Sequence, residues 1–133
     1  MINAFVAIED ERYFEHHGFD VKRLIGAATT FISKGDSSYG ASTITQQLVK
    51  NLSGDDDVTI ERKLQEIYRS IKIELSYSKE EIMEFYLNTI YLSRQCNGVQ
   101  AAAKRYFGKD VGELTLAETA SIAGITQYPS KYD

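Results

Sequence analysis

Apolar side chains recur every three or four residues along most of this 133-residue chain, which is the spacing of amphipathic α-helices. No segment alternates apolar and polar residues in the way that a half-buried strand does. The single proline, Pro129, lies near the end of the sequence, so it interrupts none of the periodic segments. The pattern therefore predicts an all-α fold.

Capping residues and glycines divide this pattern into separate helices. We predict them over residues 2–13, 20–35, 43–52, 59–75, 79–91 and 98–107, with a last helix from 115. The residues predicted to cap helix starts are Asp20, Ser42, Thr59, Ser78 and Thr115. A small-residue loop (35–42) and an acidic linker (54–57) flank the third helix, and we predict a mobile segment over 33–58.

The predicted core comes from the apolar stripes of these helices. The helix over 59–75 has a regular stripe, which consists of Ile60, Leu64, Ile67, Ile71 and Leu75. The third helix repeats Ile44, Leu48 and Leu52. The helix after Ser78 is apolar on more than one side, so we predict that it is the central buried helix and that Asn88 bonds to neighbouring backbone.

Composition and charge narrow the class of protein. At 15.0 kDa and 43% hydrophobic residues, the chain is long enough for one domain with a substantial core. Its net charge of −4 argues against nucleic acid as a partner, because a phosphate backbone requires a basic surface. The single cysteine, Cys96, cannot form an internal disulfide, and no apolar run reaches the length of about 18 residues that would span a membrane.

The first candidate site is an acidic turn. Glu9 and Asp10 follow an apolar run, and His16, His17 and Gly18 come shortly afterwards. Carboxylates this close disfavour each other's ionisation, which suits a general base, and an exposed acidic helix end is the alternative. Because adjacent histidines point apart, a histidine that caps or packs the turn is a better interpretation than a metal site.

Two further sets carry chemistry suited to a ligand. Residues 40–47 read GASTITQQ, whose polar side chains and free N–H groups at a helix start suit a phosphate or sugar hydroxyls. An ordinary N-cap with a solvated polar face is the alternative. Arg62, Lys63 and Glu66 together suit a pyrophosphate, held directly or through a divalent cation, and a surface ion pair is the alternative.

Together and in this order, the sets resemble the motifs of the peptidoglycan glycosyltransferases of family 51, found in bifunctional penicillin-binding proteins and monofunctional transglycosylases. The acidic turn resembles the family's first motif, residues 40–47 the second, RKLQE at 62–66 the third, and residues 79–88 the fourth. Further similarity at 106–109, 116–118 and 127–130 extends the resemblance over essentially the whole chain.

This resemblance implies a lysozyme-like fold with a flexible membrane-proximal jaw segment. The implied reaction polymerises lipid II into β-1,4-linked glycan strands and releases undecaprenyl pyrophosphate. Glu9 would be the general base that activates the acceptor 4-hydroxyl for an inverting attack, and Glu66 would act beside the donor pyrophosphate, with magnesium or manganese as the suggested cofactor. The residues with an implied substrate-binding role are Asp10, Ser42, Thr43, Gln46, Gln47, Lys50, Arg62 and Lys63.

The resemblance also implies partners and a location. These are lipid II and the growing glycan chain, the membrane surface at the extracytoplasmic face of the bacterial cytoplasmic membrane, and a transpeptidase domain if the parent chain is bifunctional. The sequence ends before the family's fifth, arginine-containing motif and includes no anchor. We therefore expect residues 1–133 to be a truncated domain with weak or no activity by itself.

Three positions depart from the family pattern, and two other functions are compatible with the residues. Tyr13 replaces a phenylalanine whose aromatic face it keeps, Ser93 replaces a glycine, and Val58 replaces a basic residue, which should weaken donor binding. A muramidase is one alternative, but hydrolysis usually needs a second carboxylate, whereas the Arg–Lys–Glu set suits a pyrophosphate. The other alternative is an inactive domain that binds lipid II or a cell-wall partner.

Overall fold

The computed structural model describes residues 1–34, 40–54, 59–128 and 131. The helices in this part are α1 (Ile2–Glu9), α2 (Val21–Lys34), α3 (Ile44–Ser53), α4 (Ile60–Ser76), α5 (Lys79–Thr89), α6 (Val99–Phe107) and α7 (Leu116–Ile125), with a 3-10 turn at Val111–Glu113. The predicted all-α fold is confirmed and is consistent with a lysozyme-like domain. Within the described ranges, no helix is both long and apolar enough to cross a bilayer.

Side-chain caps begin most helices where they were predicted. The Thr59 hydroxyl accepts a hydrogen bond from the backbone N–H of Arg62, at 3.1 Å. Ser78 and Thr115 each begin a helix with a complete capping box. These local interactions satisfy N–H groups that have no partner within the helix, which is why the sequence signals were reliable.

Two predicted helix boundaries were wrong. The third helix is capped by Thr43 rather than Ser42, because Thr43 and Gln46 form the capping box and Ser42 bonds elsewhere. The first helix ends at Glu9 and does not continue to residue 13. Asp10 leaves the helix with φ −159° and ψ 73°, which turns its side chain inward.

The centre of the domain lies between α3 and α5. Ile44 and Leu48 on α3 and Ile82 and Tyr86 on α5 are almost wholly buried in one apolar cluster. Phe5 of α1 joins it, with its ring centroid 6.0 Å from that of Tyr86 in an edge-to-face arrangement. Since a fully buried side chain of this size contributes about 1.5–3 kcal/mol, this cluster is a main source of stability. The prediction that α5 is the central helix is confirmed.

The predicted core stripe of α4 was wrong. Ile60, Leu64 and Leu75 are 81%, 62% and 82% exposed, and the two other members of the stripe are only half-buried. The side chains that α4 buries are Glu66 and Ser70. Apolar periodicity shows that a helix has an apolar face, but it does not show that this face is buried. In α4 the face with Glu66 and Ser70 lies against the rest of the domain.

The predicted mobile segment over 33–58 is not uniform. Its central part is α3, which belongs to the core, although Leu52 at its end is exposed. The alternative interpretation, a solvated polar face at the start of α3, does not hold for Thr43 and Gln46, which are fully buried. Residues 35–39 of the predicted loop and 55–57 of the predicted linker lie outside the described residues, as does Val58, whose predicted effect on donor binding stays a prediction.

The irregular segment predicted between α5 and α6 is confirmed. Ser93, Arg94 and Gln95 have φ values of 65°, 48° and 62°, a region that glycine adopts without strain. Gly98 then ends the segment at φ 82°, where an added Cβ would lie 2.6 Å from the carbonyl oxygen of Asn88. The backbone of α5 therefore approaches Gly98 too closely for any side chain.

We predict that Gly98→Ala unfolds the domain far more readily than Gly108→Ala. Both glycines have positive φ, at 82° and 66°, so both variants incur backbone strain, which is about 1–2 kcal/mol at the left-handed Gly108 and larger at Gly98, whose ψ of 155° is adopted essentially by glycine alone. Only Gly98 adds a clash with backbone, since a Cβ at Gly108 meets nothing within 4 Å. Urea unfolding should show a much lower midpoint for Gly98→Ala, and equal midpoints would contradict the role of the close approach.

A second prediction concerns Asp20, which caps α2 and pairs with Arg12 at 2.6 Å. Burial alone would raise the pKa of Asp20, but the N–H of Arg23 and the charge of Arg12 outweigh it and hold that pKa below its ordinary value of 3.8. The ionised carboxylate therefore stabilises the fold above pH 3.8, and this contribution is lost as pH falls through the lower, folded-state pKa.

The variant Asp20→Asn keeps a capping oxygen and removes the charge, whereas Asp20→Ala removes both. Thermal unfolding should show Asp20→Asn less stable than the wild type near neutral pH, and the difference should shrink below the ordinary pKa. Asp20→Ala should lose about 1 kcal/mol of capping at every pH. A pH-independent difference for Asp20→Asn would be evidence against the ion pair.

Candidate active site

Glu9 is held by hydrogen bonds on both carboxylate oxygens. Its Oε2 accepts a hydrogen bond from Nε2 of Gln47, at 2.9 Å. Its Oε1 accepts from Nε2 of Gln127, also at 2.9 Å, and from the hydroxyl of Thr126. The side chain is half-buried at the end of α1, so a polar group entering from solvent can reach it.

Glu9 lies in the wall of a cleft of about 500 Å³. The polar side chains that line this cleft include Glu9, Ser42, Gln47, Lys50, Thr126 and Gln127. Lys50 also lines a small adjoining recess that contains Arg62 and Glu66. The structure therefore places a carboxylate and a set of cations along one continuous surface.

Asp10 is fully buried and has a different environment from Glu9. Its Oδ2 lies 2.8 Å from Nε2 of His16 and accepts a hydrogen bond from the N–H of Ile44 at 3.0 Å. The guanidinium of Arg23 lies 3.6 Å from its Oδ1. Because the carboxylate joins the acidic turn to the start of α3, it does not face the cleft, where the sequence interpretation had expected it to contact substrate.

His16 packs within the turn, as predicted. The backbone N–H of Gly18 donates to its Nδ1 at 3.3 Å, so Nδ1 carries the lone pair and Nε2 carries the hydrogen that points to Asp10. Both ring nitrogens therefore have partners within the chain.

Gly18 itself, at φ 94°, lies so close to Ser70 of α4 that a Cβ would be 2.8 Å from the Ser70 carbonyl carbon.

The segment at 40–47 divides between the core and the cleft. The Thr43 hydroxyl donates to the carbonyl of Gly18 at 2.7 Å, and the Thr43 N–H donates to Oε1 of Gln46 at 2.9 Å. These two buried residues hold the start of α3, and neither lines the cleft. Gln47 and Ser42 do line it, so only part of the predicted binding segment is available to a ligand.

Glu66 is a buried anion between two cations. Its Oε2 accepts from Nη1 of Arg62 at 2.9 Å, and its Oε1 accepts from the ammonium of Lys63. Lys63 also donates to the hydroxyl of Ser42, at 2.8 Å. Glu66 is only 4% exposed. The arrangement therefore fixes the positions of two cations and brings Lys63 to the edge of the cleft.

The described residues do not fit the suggested divalent cation. Magnesium and manganese prefer several oxygen ligands, yet both oxygens of Glu66 already accept hydrogen bonds from cations. Among the residues that the structure describes, no group of three or more potential ligands converges. We therefore derive no chemical step through a metal ion, and the cofactor stays a prediction.

Tyr86, in the fourth motif, helps to fix the hydrogen bond between Gln47 and Glu9. The Tyr86 hydroxyl donates to Oε1 of Gln47 at 3.0 Å, which orients the amide whose nitrogen reaches Glu9. Burial, together with the charges of Glu9 and Asp10, raises the pKa of Tyr86 far above its ordinary value, so the hydroxyl keeps its proton. Asn88, which was predicted to bond to neighbouring backbone from a buried helix, is exposed.

Tyr13, which replaces a phenylalanine of the family pattern, has a partner for its additional hydroxyl. It donates to the carbonyl of Lys79 at 2.7 Å, and the Lys79 ammonium lies 4.4 Å from the centre of the ring. Burial and the charge of Glu74 raise the pKa of Tyr13, so it too stays protonated. The expectation that this substitution is tolerated agrees with this environment.

Sequence reasoning missed three residues of the site. Thr126 and Gln127 lie more than a hundred positions from Glu9 along the chain, and no local pattern links them to it. Arg23 donates to the carbonyls of Glu9 and Gly40, the latter at 2.6 Å. The available signals were the family similarity at 127–130, which includes Gln127, and the polar residues that follow the last predicted helix.

Comparisons with known proteins identify the family of this chain. The profile of the family described as Transglycosylase matches residues 1–133. Penicillin-binding protein 1A of Clostridium tetani is 53% identical over 98% of this chain and 17% of its own length. Penicillin-binding protein 1A of Escherichia coli is 47% identical over 100% of this chain and 16% of its own length, and penicillin-binding protein 2D of Bacillus subtilis is 48% identical over 99% and 19%.

The match to the family profile makes this a transglycosylase domain, a class of glycosyltransferase, and its helical fold is consistent with a lysozyme-like domain. The chain belongs to the transglycosylase family, as its motifs had indicated. It spans less than a fifth of the length of each of these three relatives.

We predict that Asp10→Asn is strongly destabilising, by about 3 kcal/mol, because it breaks a buried pair with His16 and weakens the anchor of Ile44. The control is Asp110→Asn, which alters an exposed pair with Lys104 and should change stability little. Equilibrium unfolding of both variants measures the difference. Similar stabilities would contradict the structural role of Asp10.

Proposed function

We propose that this domain is a peptidoglycan glycosyltransferase that polymerises lipid II into β-1,4-linked glycan strands. The observation that carries the proposal is the continuous surface that joins Glu9 to the cations around Glu66. Polymerisation needs a base for the acceptor hydroxyl and positive charge for a leaving pyrophosphate. The cleft contains Glu9 and Lys50, and the recess that shares Lys50 contains Arg62.

Glu9 is the general base in this proposal. It removes the proton from the acceptor 4-hydroxyl as that oxygen attacks the anomeric carbon of the donor, with inversion. Hydrogen bonds to both of its oxygens hold the carboxylate in one orientation, which reduces the entropy that must be lost on reaching the transition state. Gln47 and Ser42 line the same space and are placed to orient the sugars.

Undecaprenyl pyrophosphate leaves towards Lys50, Lys63 and Arg62. The two cations beside Glu66 are fixed by its carboxylate, so they need little reorganisation as negative charge develops on the leaving oxygen. Glu66 thus acts by placing these cations. Its two paired oxygens also support a transferase over a muramidase, because they leave it poorly suited to serve as the second carboxylate of a hydrolase.

The proposed partners include the membrane surface. Large apolar side chains are exposed on α2 and α4, among them Val21, Ile25, Ile60 and Leu64. Apolar side chains exposed along two helices are compatible with contact with a membrane surface. The extracytoplasmic face of the cytoplasmic membrane, an anchor and a transpeptidase domain in the parent chain are proposed by similarity to the penicillin-binding proteins.

The decisive test is polymerisation of labelled lipid II by the full-length protein that carries this domain. Glu9→Gln should lower the rate at least about a hundredfold, the usual contribution of a general base. It should leave the thermal midpoint nearly unchanged, since Glu9 is only half-buried. Glu84→Gln, which alters an exposed carboxylate on α5, is the matched control and should retain the wild-type rate.

Glu66→Gln should also lose most polymerisation, because Arg62 and Lys63 would no longer be held in place. Circular dichroism should show the fold retained, and an unfolded variant would make Glu66 purely structural. Hydrolysis of sacculi without any polymer would favour the muramidase. Full activity of Glu9→Gln would make the base assignment wrong, and binding of lipid II without turnover by the wild type would favour the inactive domain.

A further inference from the structure

The two carboxylate oxygens of Glu9 are not equivalent. Each oxygen of an ionised carboxylate has two lone-pair directions. Oε1 accepts from Thr126 and Gln127, so both of its directions are in use. Oε2 accepts from Gln47, and within the described part of the chain it has no second donor. Among the described residues, the lone pair of Glu9 that is left without a donor is therefore on Oε2.

The donors to Oε1 both follow the end of α7. Thr126 is the residue after this helix, and Gln127 comes next in the chain. Because α7 packs against α1, this end of α7 lies beside the end of α1, where Glu9 is the last residue. A carboxylate at the negative end of a helix dipole is unfavourable when ionised. Two donors on Oε1 compensate for that position.

The hydroxyl of Thr126 has one hydrogen and two acceptors within reach. One is Oε1 of Glu9, and the other is the carbonyl oxygen of Ala123, at 2.8 Å. A hydrogen bond to an ionised carboxylate is roughly twice as strong as one to a neutral carbonyl. The hydrogen therefore points to Glu9 while the carboxylate is ionised, and that preference weakens once the carboxyl is neutral.

We propose that Thr126 and Gln127 are positioning residues that hold Glu9 ionised through Oε1 and reserve Oε2 for the acceptor hydroxyl. This inference rests on the proposed function. In the step it describes, the acceptor O–H bond breaks and its proton moves to Oε2. The electron pair left on the acceptor oxygen forms the new glycosidic bond, and the bond to the pyrophosphate breaks with its pair on the leaving oxygen.

The proposal predicts how the rate of each variant depends on pH. The base must be ionised, so the rate rises with pH along the acid limb of its profile. Removing a donor from Oε1 favours the protonated form, which moves this limb to higher pH. Thr126→Val and Gln127→Leu should each lower kcat/KM for lipid II about tenfold near neutral pH, the effect of one hydrogen bond to a charged group.

Two matched controls keep the test specific. Gln100→Leu removes an amide that donates to the carboxylate of Asp110 at 2.7 Å, away from the cleft. Ser121→Ala removes a hydroxyl that bonds to a carbonyl of α7, that of Ala117, at 2.8 Å. Both should keep the wild-type rate and pH profile. Thr126→Ser, which restores the hydroxyl, should recover most of the rate and return the limb to its wild-type position.

The measurement is the pH dependence of kcat/KM for lipid II polymerisation by the full-length protein, with thermal unfolding of each variant. A displaced acid limb in Thr126→Val and Gln127→Leu, restored in Thr126→Ser, supports the inference. A fall in rate without displacement overturns it, because a structural defect lowers the rate at every pH. If Glu9→Gln is inactive while both variants match their controls, this inference fails and the base assignment stands. An active Glu9→Gln defeats both.

Discussion

The buried carboxylate of Asp10 is the interaction on which the rest of this domain depends. It binds His16 within its own turn and the first N–H of α3, which lies 34 positions later in the chain. A charge this deeply buried is tolerated only when it is paired and hydrogen-bonded. By meeting that requirement it ends α1, fixes the turn and places α3. Glu9 and Gln47 are adjacent to these fixed points and so meet at 2.9 Å.

A second buried anion organises the other side of the cleft. Glu66 faces inward on α4 and is paired with Arg62 and Lys63, and this polar face is the one that α4 turns to the domain. Because the polar face of α4 packs against the domain, much of its apolar face is exposed. A single helix thus holds its cations towards the domain and its apolar side chains outward, an arrangement that suits the proposed substrate with its charged head and lipid tail.

Local signals were sufficient for the secondary structure and for the family. Caps at Thr59, Ser78 and Thr115 are complete within four residues, so the sequence alone displays them. The buried face of α4 could not be predicted in this way. A buried Glu66 is stable only when it is paired, here with Arg62 and Lys63, and the spacing of apolar residues does not show such pairs. The burial of Asp10, Thr43 and Gln46, which stay predicted substrate-binding residues, was not foreseen for a related reason, since a motif does not show whether its residues point inward.

The link from Glu9 to Thr126 spans 117 positions of the chain. Contacts between residues so distant form late, because a long loop must close before they contribute any free energy. During synthesis the carboxylate of α1 emerges first, and α7, which completes its environment, emerges after every other described helix. The proposed catalytic base is therefore present throughout synthesis but is held in its final setting only when α7 has docked. Premature termination before α7 would leave a nascent chain with the acid but without its donors.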